Sequence, residues 1–96
     1  MEEVTNLEIY HDLVASRFVA QLGFGEAYVA YRREGSVMDI LSTQVPHQHR
    51  RLGIGEKLVT RALDHAQANG FTVVPTCSFV PVVIDAHPKY RELVAE

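Results

Sequence analysis

The sequence predicts an α+β fold in which one long helix crosses a mostly antiparallel, twisted sheet. Three observations support this prediction. The first half of the chain is a series of short alternating or β-branched runs separated by turns, which is typical of consecutive antiparallel strands. At Gly53 the apolar spacing changes to that of an amphipathic helix. A short apolar run follows the helix and is predicted to return to the same sheet.

Length and composition describe one domain spanning residues 1–96. This length lies near the lower end of the range that supports a single core, and 47% hydrophobic with 22% charged residues is ordinary for a globular protein. No linker, repeat or low-complexity tract divides the sequence. A domain of this size buries only about 60–65% of its unfolded surface. A monomer and a homodimer are therefore both compatible with the sequence.

Charge, hydropathy and cysteine content exclude several classes of partner. The formal net charge of -3 argues against nucleic-acid binding, because such proteins normally carry a basic face. The apolar runs are far shorter than the roughly 18 residues of a membrane span, so no membrane partner is expected. The single Cys77 cannot form an internal disulfide, and the N-terminal residues do not have the pattern of a signal peptide. These features predict a reducing, cytoplasmic setting.

The main helix is predicted over residues 53–69, after three or four antiparallel strands. Gly70 is suited to the left-handed conformation of a helix C-cap. A right-handed crossover then places a strand at 72–75 parallel to the strand at 37–45. The apolar stripe of the helix comprises Ile54, Leu58, Ala62 and Ala66, and the strand-like segments before it are 7–12, 17–22, 27–32 and 37–45.

Short helices are predicted for the C-terminal segment. With Ser78 as the N-cap, Pro81 falls in the first turn, where a backbone N–H is not needed. The helix then runs to about His87, Pro88 ends it, and a last helical turn closes the chain.

Positive charge is concentrated at the start of the main helix, in the stretch "HQHRRLGIGEKLV". Helix N-termini bind anions through unpaired N–H groups, and Gly53 and Gly55 lack the Cβ atoms that would keep a phosphate away. Arg50 and Arg51 add forked donors that suit phosphate oxygens. The stretch therefore predicts a pyrophosphate site. The alternative is that the two glycines only shape a turn before an ordinary helix.

Two common phosphate-binding motifs do not fit this stretch. A P-loop requires Gly-Lys followed by Ser or Thr, which is absent from the sequence. A dinucleotide fingerprint places its glycines after the first strand of a βαβ unit, with an acidic residue about 20 residues later. The position and the order are both wrong here.

The pattern Arg-x-x-Gly-x-Gly, formed by Arg50, Gly53 and Gly55, follows a strand that ends in Val45-Pro46. This arrangement resembles the acyl-CoA pyrophosphate loop of the GCN5-related N-acetyltransferases. The whole chain from about residue 8 resembles a small subgroup of that family, which consists of little more than the CoA-binding core. The segments that carry the resemblance, in order, are "RFVAQL", "AYVAY", "STQVP", "RRLGIGEKLV", "ALDHA", "VVPTCSFV" and "HPKY".

The resemblance implies that acetyl-CoA is the co-substrate and that no metal is needed. By the same resemblance, backbone groups from Thr43 to Val45 pair with pantetheine, and the thioester lies near Cys77, where the strands at 37–45 and 72–75 separate. The N–H groups of residues 52–56 then hold the pyrophosphate. The implied cofactor-binding residues are Thr43, Gln44, Val45, Arg50, Arg51, Leu52, Gly53, Ile54, Gly55 and Glu56.

The chain departs from the pattern of that family at three positions. Relatives usually have Gly where Arg51 stands, and His and Glu where this chain has Ser42 and Gln44. An outward-pointing side chain at position 51 is compatible with the loop and could add a phosphate contact. A carboxylate at position 44 would be a natural base for the incoming amine, and this chain lacks it.

Cys77 is the first candidate catalytic residue. It follows a strand and precedes the predicted N-cap Ser78, where the helix field is expected to lower the pKa of its thiol. It could accept the acyl group or donate a proton to CoA; the alternative is a small core cysteine. Tyr90 is a second candidate proton donor, although such a tyrosine more often caps the core. Asp39, within a strand, is a weak candidate base.

The histidines have simpler predicted roles. His47 and His49 form a His-x-His pair, but without a third ligand they are expected to be exposed loop residues beside an anion site and not a metal site. His87 is expected to interact with the terminal carbonyls of a helix. His11 and His65 are predicted at the surface.

The sequence thus predicts an acetyl-CoA-dependent N-acetyltransferase that acts on an amine. The acceptor could be a protein lysine, a polyamine or a small metabolite. One alternative is a non-catalytic module that binds or senses CoA or acyl-CoA, which the replacement at Gln44 favours. A second alternative is a protein-interaction domain that uses the fold without CoA.

Overall fold

The computed structural model describes residues 8–22, 25–46 and 53–94, and it confirms the predicted α+β fold. In chain order the elements are β1 (Ile9–Asp12), β2 (Arg17–Leu22), β3 (Gly25–Glu34), β4 (Val37–Gln44), α1 (Ile54–Asn69), β5 (Thr72–Val74) and α2 (Phe79–Ala86), followed by a 3-10 helix (Pro88–Leu93). Each predicted strand and helix is present. β2 has the predicted ends, and the ends of the other elements differ from the prediction by a few residues at most.

The five strands form one sheet in the order β1-β2-β3-β4-β5. The first three pairings are antiparallel, as expected of strands joined by tight turns. β5 pairs with β4 in parallel, with Met38 opposite Val73, which confirms the predicted parallel pairing. Gly70 has φ 70°, and its N–H bonds to carbonyl oxygens in the last turn of α1, which confirms the predicted C-cap.

The core lies between one face of the sheet and α1, and α2 closes it at one end. The predicted apolar stripe of α1 is confirmed, because all four of its members are fully buried. The sheet contributes large side chains such as Phe18 and Ile40, and α2 contributes Val80 and Val83. Within the described ranges, no helix is both long enough and apolar enough to cross a membrane.

A β-bulge interrupts the pairing of β3 with β4. Ala30 lies opposite Ser42 and Tyr31 lies opposite Ile40, so Leu41 is an extra residue on β4. Side chains alternate faces along a regular strand, and an extra residue reverses the faces beyond it. Thr43 therefore shares the core face with its partner, the buried Val29. Without the bulge, Thr43 would lie on the opposite face.

The first turn of α2 differs in detail from the prediction. α2 begins at Phe79, directly after Ser78, which confirms the predicted position. Ser78 makes no side-chain capping bond, because its φ of -66° and ψ of -16° are already helical. N-cap side chains bond from an extended backbone. The carbonyl of Cys77 instead accepts from the N–H of Val80, at 3.1 Å.

Candidate functional site

A cleft of about 340 Å³ lies between the end of β4 and the N-terminus of α1. It exists because β5 ends at Val74, opposite Asp39, whereas β4 continues to Gln44. The two parallel strands therefore separate beyond Asp39, where β4 continues without β5 beside it. The lining residues are Thr43, Gln44, Val45, Gly53, Gly55, Glu56 and Phe79.

Cys77 lies where the chain leaves β5. Its N–H donates to the carbonyl of Ile40 at 2.8 Å, so the cysteine backbone remains attached to β4 after the strand pairing has ended. The Sγ atom of Cys77 lies 3.5 Å from Oγ1 of Thr43. The side chain is partly buried and packs against the core. The contact with Thr43 had no signal in the sequence, because it depends on the bulge at Leu41.

The N-terminus of α1 has the geometry of an anion site. The first N–H that bonds within the helix is that of Lys57, which donates to Gly53 at 3.1 Å. The N–H groups of the preceding three residues have no acceptor within the helix, and Gly53 gives no side-chain cap. Gly53 has φ 76°, and among the described residues no atom lies within 4 Å of the position that a Cβ would occupy. The described part of the chain therefore leaves the backbone accessible at this point.

Gly55 has a packing role in addition to the predicted one. A Cβ at this position would lie 3.2 Å from Cε2 of Phe79 and 3.6 Å from Cγ2 of Val45. Glycine therefore allows the Phe79 ring to close against α1 and form a wall of the cleft. Sequence reasoning missed Phe79, because an aromatic residue at the start of a helix is an ordinary core residue.

His87 is the C-cap of α2, which confirms its predicted role at a helix end. Its backbone N–H donates to the terminal carbonyls of α2, those of Val83 and Ile84. Its imidazole Nε2 lies 2.7 Å from Oε2 of Glu56, in the first turn of α1. Sequence reasoning missed this second contact, which is possible because the main chain already satisfies those carbonyls and leaves the ring available to α1.

Tyr90 lies away from the cleft. Its hydroxyl donates to Oδ1 of Asp64 at 2.6 Å, and the residue is 2% exposed. Burial, with this hydrogen bond and the charge of Asp64, raises the pKa of Tyr90 to about 12. Asp64 stands ten residues beyond Ile54, which is about 15 Å along α1. This position supports the alternative that Tyr90 caps the core.

His11 and His65 are not simple surface residues, as had been predicted. The ring of His11 stacks on that of Phe18, with 4.1 Å between the ring centroids. The ring of His65 contacts the His11 ring edge-on, with 4.7 Å between their centroids. Burial, followed by the neighbouring positive groups, lowers the pKa of both imidazoles; Arg61 is among those neighbours for each ring. The strand pairing and the helix crossing bring these distant residues together.

Several predicted site residues lie outside the described ranges, namely His47, His49, Arg50, Arg51 and Leu52. Asp39, the weak candidate base, accepts a hydrogen bond from the hydroxyl of Thr76. Within the part of the chain that the structure describes, no group of three His, Cys, Asp or Glu side chains is arranged to hold a metal ion.

The sequence profile of the GCN5-related N-acetyltransferases matches residues 17–93, from the start of β2 to the end of the 3-10 helix. The chain belongs to this family. This GCN5-related N-acetyltransferase also resembles the NMR solution structure of a GCN5-like protein from Staphylococcus aureus, with a TM-score of 0.69. The two chains are 22% identical, and the match covers 95% of this chain and 90% of the other. This likeness shows the shared fold.

Proposed function

We propose that this N-acetyltransferase uses acetyl-CoA and transfers the acetyl group to an amine. The family in general uses this donor, and the observation that carries the proposal here is the open N-terminus of α1 beside the cleft at the end of β4. We also propose that residues 1–96 form one acetyltransferase domain, which works in a reducing, cytoplasmic setting as a monomer or homodimer.

The residues of the cleft suit the parts of the donor. N–H groups at Gly53 to Glu56 offer a cluster of donors in the positive field of a helix N-terminus, which suits a pyrophosphate. Arg50 and Arg51, ahead of this cluster, are the proposed additional phosphate ligands. Beyond β5, the backbone of β4 near Thr43 suits pairing with an extended amide chain such as pantetheine.

Transfer requires an amine nitrogen to bond to the thioester carbonyl carbon while the carbon–sulfur bond breaks. The amine loses a proton, and the CoA sulfur gains one. We propose that Cys77 assists at this point, either by donating its thiol proton to the leaving sulfur or by first accepting the acetyl group on Sγ. Its support is positional, because Cys77 lies at the separation of β4 and β5 and contacts Thr43. Asp39 and Tyr90 are bound to other side chains.

The acceptor is proposed to be an amine of a small molecule or a protein lysine. A lysine-type amine has a pKa near 10.4 and is mostly charged at neutral pH, so it must lose a proton before attack. The short connection between β1 and β2, residues 13–16, adds no helix that would cover an acceptor. An open acceptor site is consistent with several amines.

Calorimetric titration with acetyl-CoA tests the proposal, and ATP serves as the control ligand. We expect saturable binding of acetyl-CoA and none of ATP. Gly53→Ala should weaken this binding, because its Cβ would enter the phosphate site. The matched control is Gly35→Ala, because Gly35 has φ 61° and is also surrounded by open space, but it lies in the turn after β3. Equal effects of the two substitutions on affinity for acetyl-CoA would contradict a phosphate site at the N-terminus of α1.

Turnover with a panel of amines separates the enzyme from the two alternatives. Binding of acetyl-CoA without acetylation of any amine would favour the non-catalytic module. The absence of binding at millimolar ligand would favour the interaction domain, because the glycines would then serve only the turn.

A further inference from the structure

A hydrogen bond joins Glu56, in the first turn of α1, to His87, at the end of α2. The two residues are 31 positions apart in sequence, so the fold alone brings them together. An ionised carboxylate can only accept a hydrogen bond, and therefore Nε2 of the imidazole carries the proton in this contact. His87 thus restrains Glu56 through this hydrogen bond.

The position of Glu56 conflicts with an anionic ligand. Glu56 is the third residue of α1 and lines the cleft beside Gly53 and Gly55. An acidic residue at this helix position commonly turns back to accept from the N–H of the N-cap residue. Such a turn would place the carboxylate on the same N–H groups that the pyrophosphate requires, and like charges at close range repel.

In the structure, the Glu56 carboxylate bonds to His87 instead. The two partners border a second cleft, of about 370 Å³, together with Gly53, Lys57 and Thr60. His87 borders this second cleft and is absent from the lining of the first. This hydrogen bond therefore directs the carboxylate toward the second cleft.

We propose that His87 is a positioning residue that holds the Glu56 carboxylate away from the N-terminus of α1 and so keeps the pyrophosphate site open. The inference rests on the proposed function, because it assigns the phosphates of the acyl donor to that site. It adds a residue of α2, outside the glycine-rich stretch, to the determinants of donor affinity.

Calorimetric titration of CoA into four proteins at one pH and one salt concentration tests this inference. The proteins are the wild type, His87→Phe, Glu56→Gln and the double variant. Phenylalanine keeps a ring at position 87 and cannot donate to Glu56. We expect His87→Phe to weaken CoA binding by about tenfold, because the released carboxylate then competes with phosphate. Glu56→Gln should bind CoA at least as tightly as the wild type. The double variant should match Glu56→Gln, because an uncharged side chain needs no restraint.

Glu56→Asp provides a further variant that keeps the charge. Its side chain is one methylene shorter and is expected to fall short of His87, so it should weaken CoA binding as His87→Phe does. Glu26→Gln is the matched control, because it also removes one negative charge from an ion pair, the one that Glu26 makes with Arg17 in the sheet. It should leave the dissociation constant of CoA unchanged.

Acetyl-pantetheine distinguishes positioning from a general structural role. This fragment has no phosphate, so His87→Phe should use it as the wild type does. Weaker use of the fragment by His87→Phe, or a double variant as weak toward CoA as His87→Phe, would overturn the inference. Unchanged CoA affinity in His87→Phe would also overturn it, whereas failure of the wild type to bind CoA would remove the proposed function itself.

Discussion

The thiol of Cys77 lies 3.5 Å from the hydroxyl of Thr43, at the point where β5 has ended and β4 continues. The two residues are 34 positions apart in sequence. Three features bring them together: the bulge at Leu41, the parallel pairing of β4 with β5, and the hydrogen bond from Cys77 to Ile40. The predictions for substitutions of Cys77 and Thr43 depend on this contact.

Cys77→Ala should retain affinity for acetyl-CoA and lose turnover. If the thiol acts as a proton donor, kcat should fall by about a hundredfold, the lower end of the usual contribution of general acid–base catalysis. Steady-state kinetics with a fixed amine and varied acetyl-CoA would measure this, with calorimetry for the affinity. Full activity of the variant would show that Cys77 is a core cysteine without a catalytic role.

Thr43→Val should have a smaller effect of the same kind. The substitution keeps the shape of the side chain and removes the hydroxyl that contacts Cys77, a loss of about 1 kcal/mol or roughly fivefold in kcat. Thr43→Ser retains a hydroxyl and should recover most of the activity. Equal losses in the valine and serine variants would contradict a role for the hydroxyl.

Gly55→Ala should weaken donor binding with little change in stability. The added methyl group would meet the Phe79 ring at 3.2 Å, so the ring must move by a few tenths of an ångström. Alanine also gains about 1 kcal/mol in helix propensity over glycine, which offsets the crowding. Urea unfolding and calorimetric titration with acetyl-CoA would measure the two effects. The double variant Gly55→Ala/Phe79→Leu should restore affinity for acetyl-CoA, because leucine is smaller than phenylalanine. Unaltered affinity in Gly55→Ala alone would contradict a role for the Phe79 ring position in donor binding.

Tyr90→Phe should reduce stability and leave kcat unchanged. The variant loses the hydrogen bond to Asp64, worth about 1 kcal/mol. The pKa of Tyr90, about 12 in the folded protein, exceeds its ordinary value of 10.0. The hydroxyl therefore contributes stability that is present below pH 10 and is lost as the pH rises through about 12. Urea unfolding at pH 8 and 11 would show a difference between wild type and variant that shrinks at the higher pH. A fall in kcat at unchanged stability would instead make Tyr90 a proton donor.

His11 and His65 should make the protein less stable in mild acid. Burial lowers the pKa of both imidazoles below 6.5, so the unfolded chain binds more protons as the pH falls. Stability is therefore full above pH 6.5 and decreases as the pH falls through the lowered values. The urea midpoint should drop between pH 7 and pH 5. His65→Phe keeps an aromatic ring and should reduce that drop.

Much of the fold follows from local rules. The apolar stripe of α1 needs only a spacing close to the helical period, and Gly70 ends the helix because glycine tolerates a positive φ. The tight turns predict antiparallel pairing, and the single long crossover predicts that β5 is parallel to β4. Each of these signals lies within a few residues of the element that it determines. The sequence is therefore sufficient to predict these elements.

The site depends on relationships that no local signal carries. By itself, the sequence determined the elements, the glycine at the N-terminus of α1 and the position of Cys77 just after β5. Only the tertiary structure decided that Thr43 faces the core, that Glu56 bonds to His87 and that Tyr90 bonds to Asp64. The facing of Thr43 depends on one extra residue in β4. The other two contacts join residues 31 and 26 positions apart and depend on how the helices pack. Periodicity and turn propensity specify elements, whereas side-chain contacts between distant elements arise only when those elements are packed.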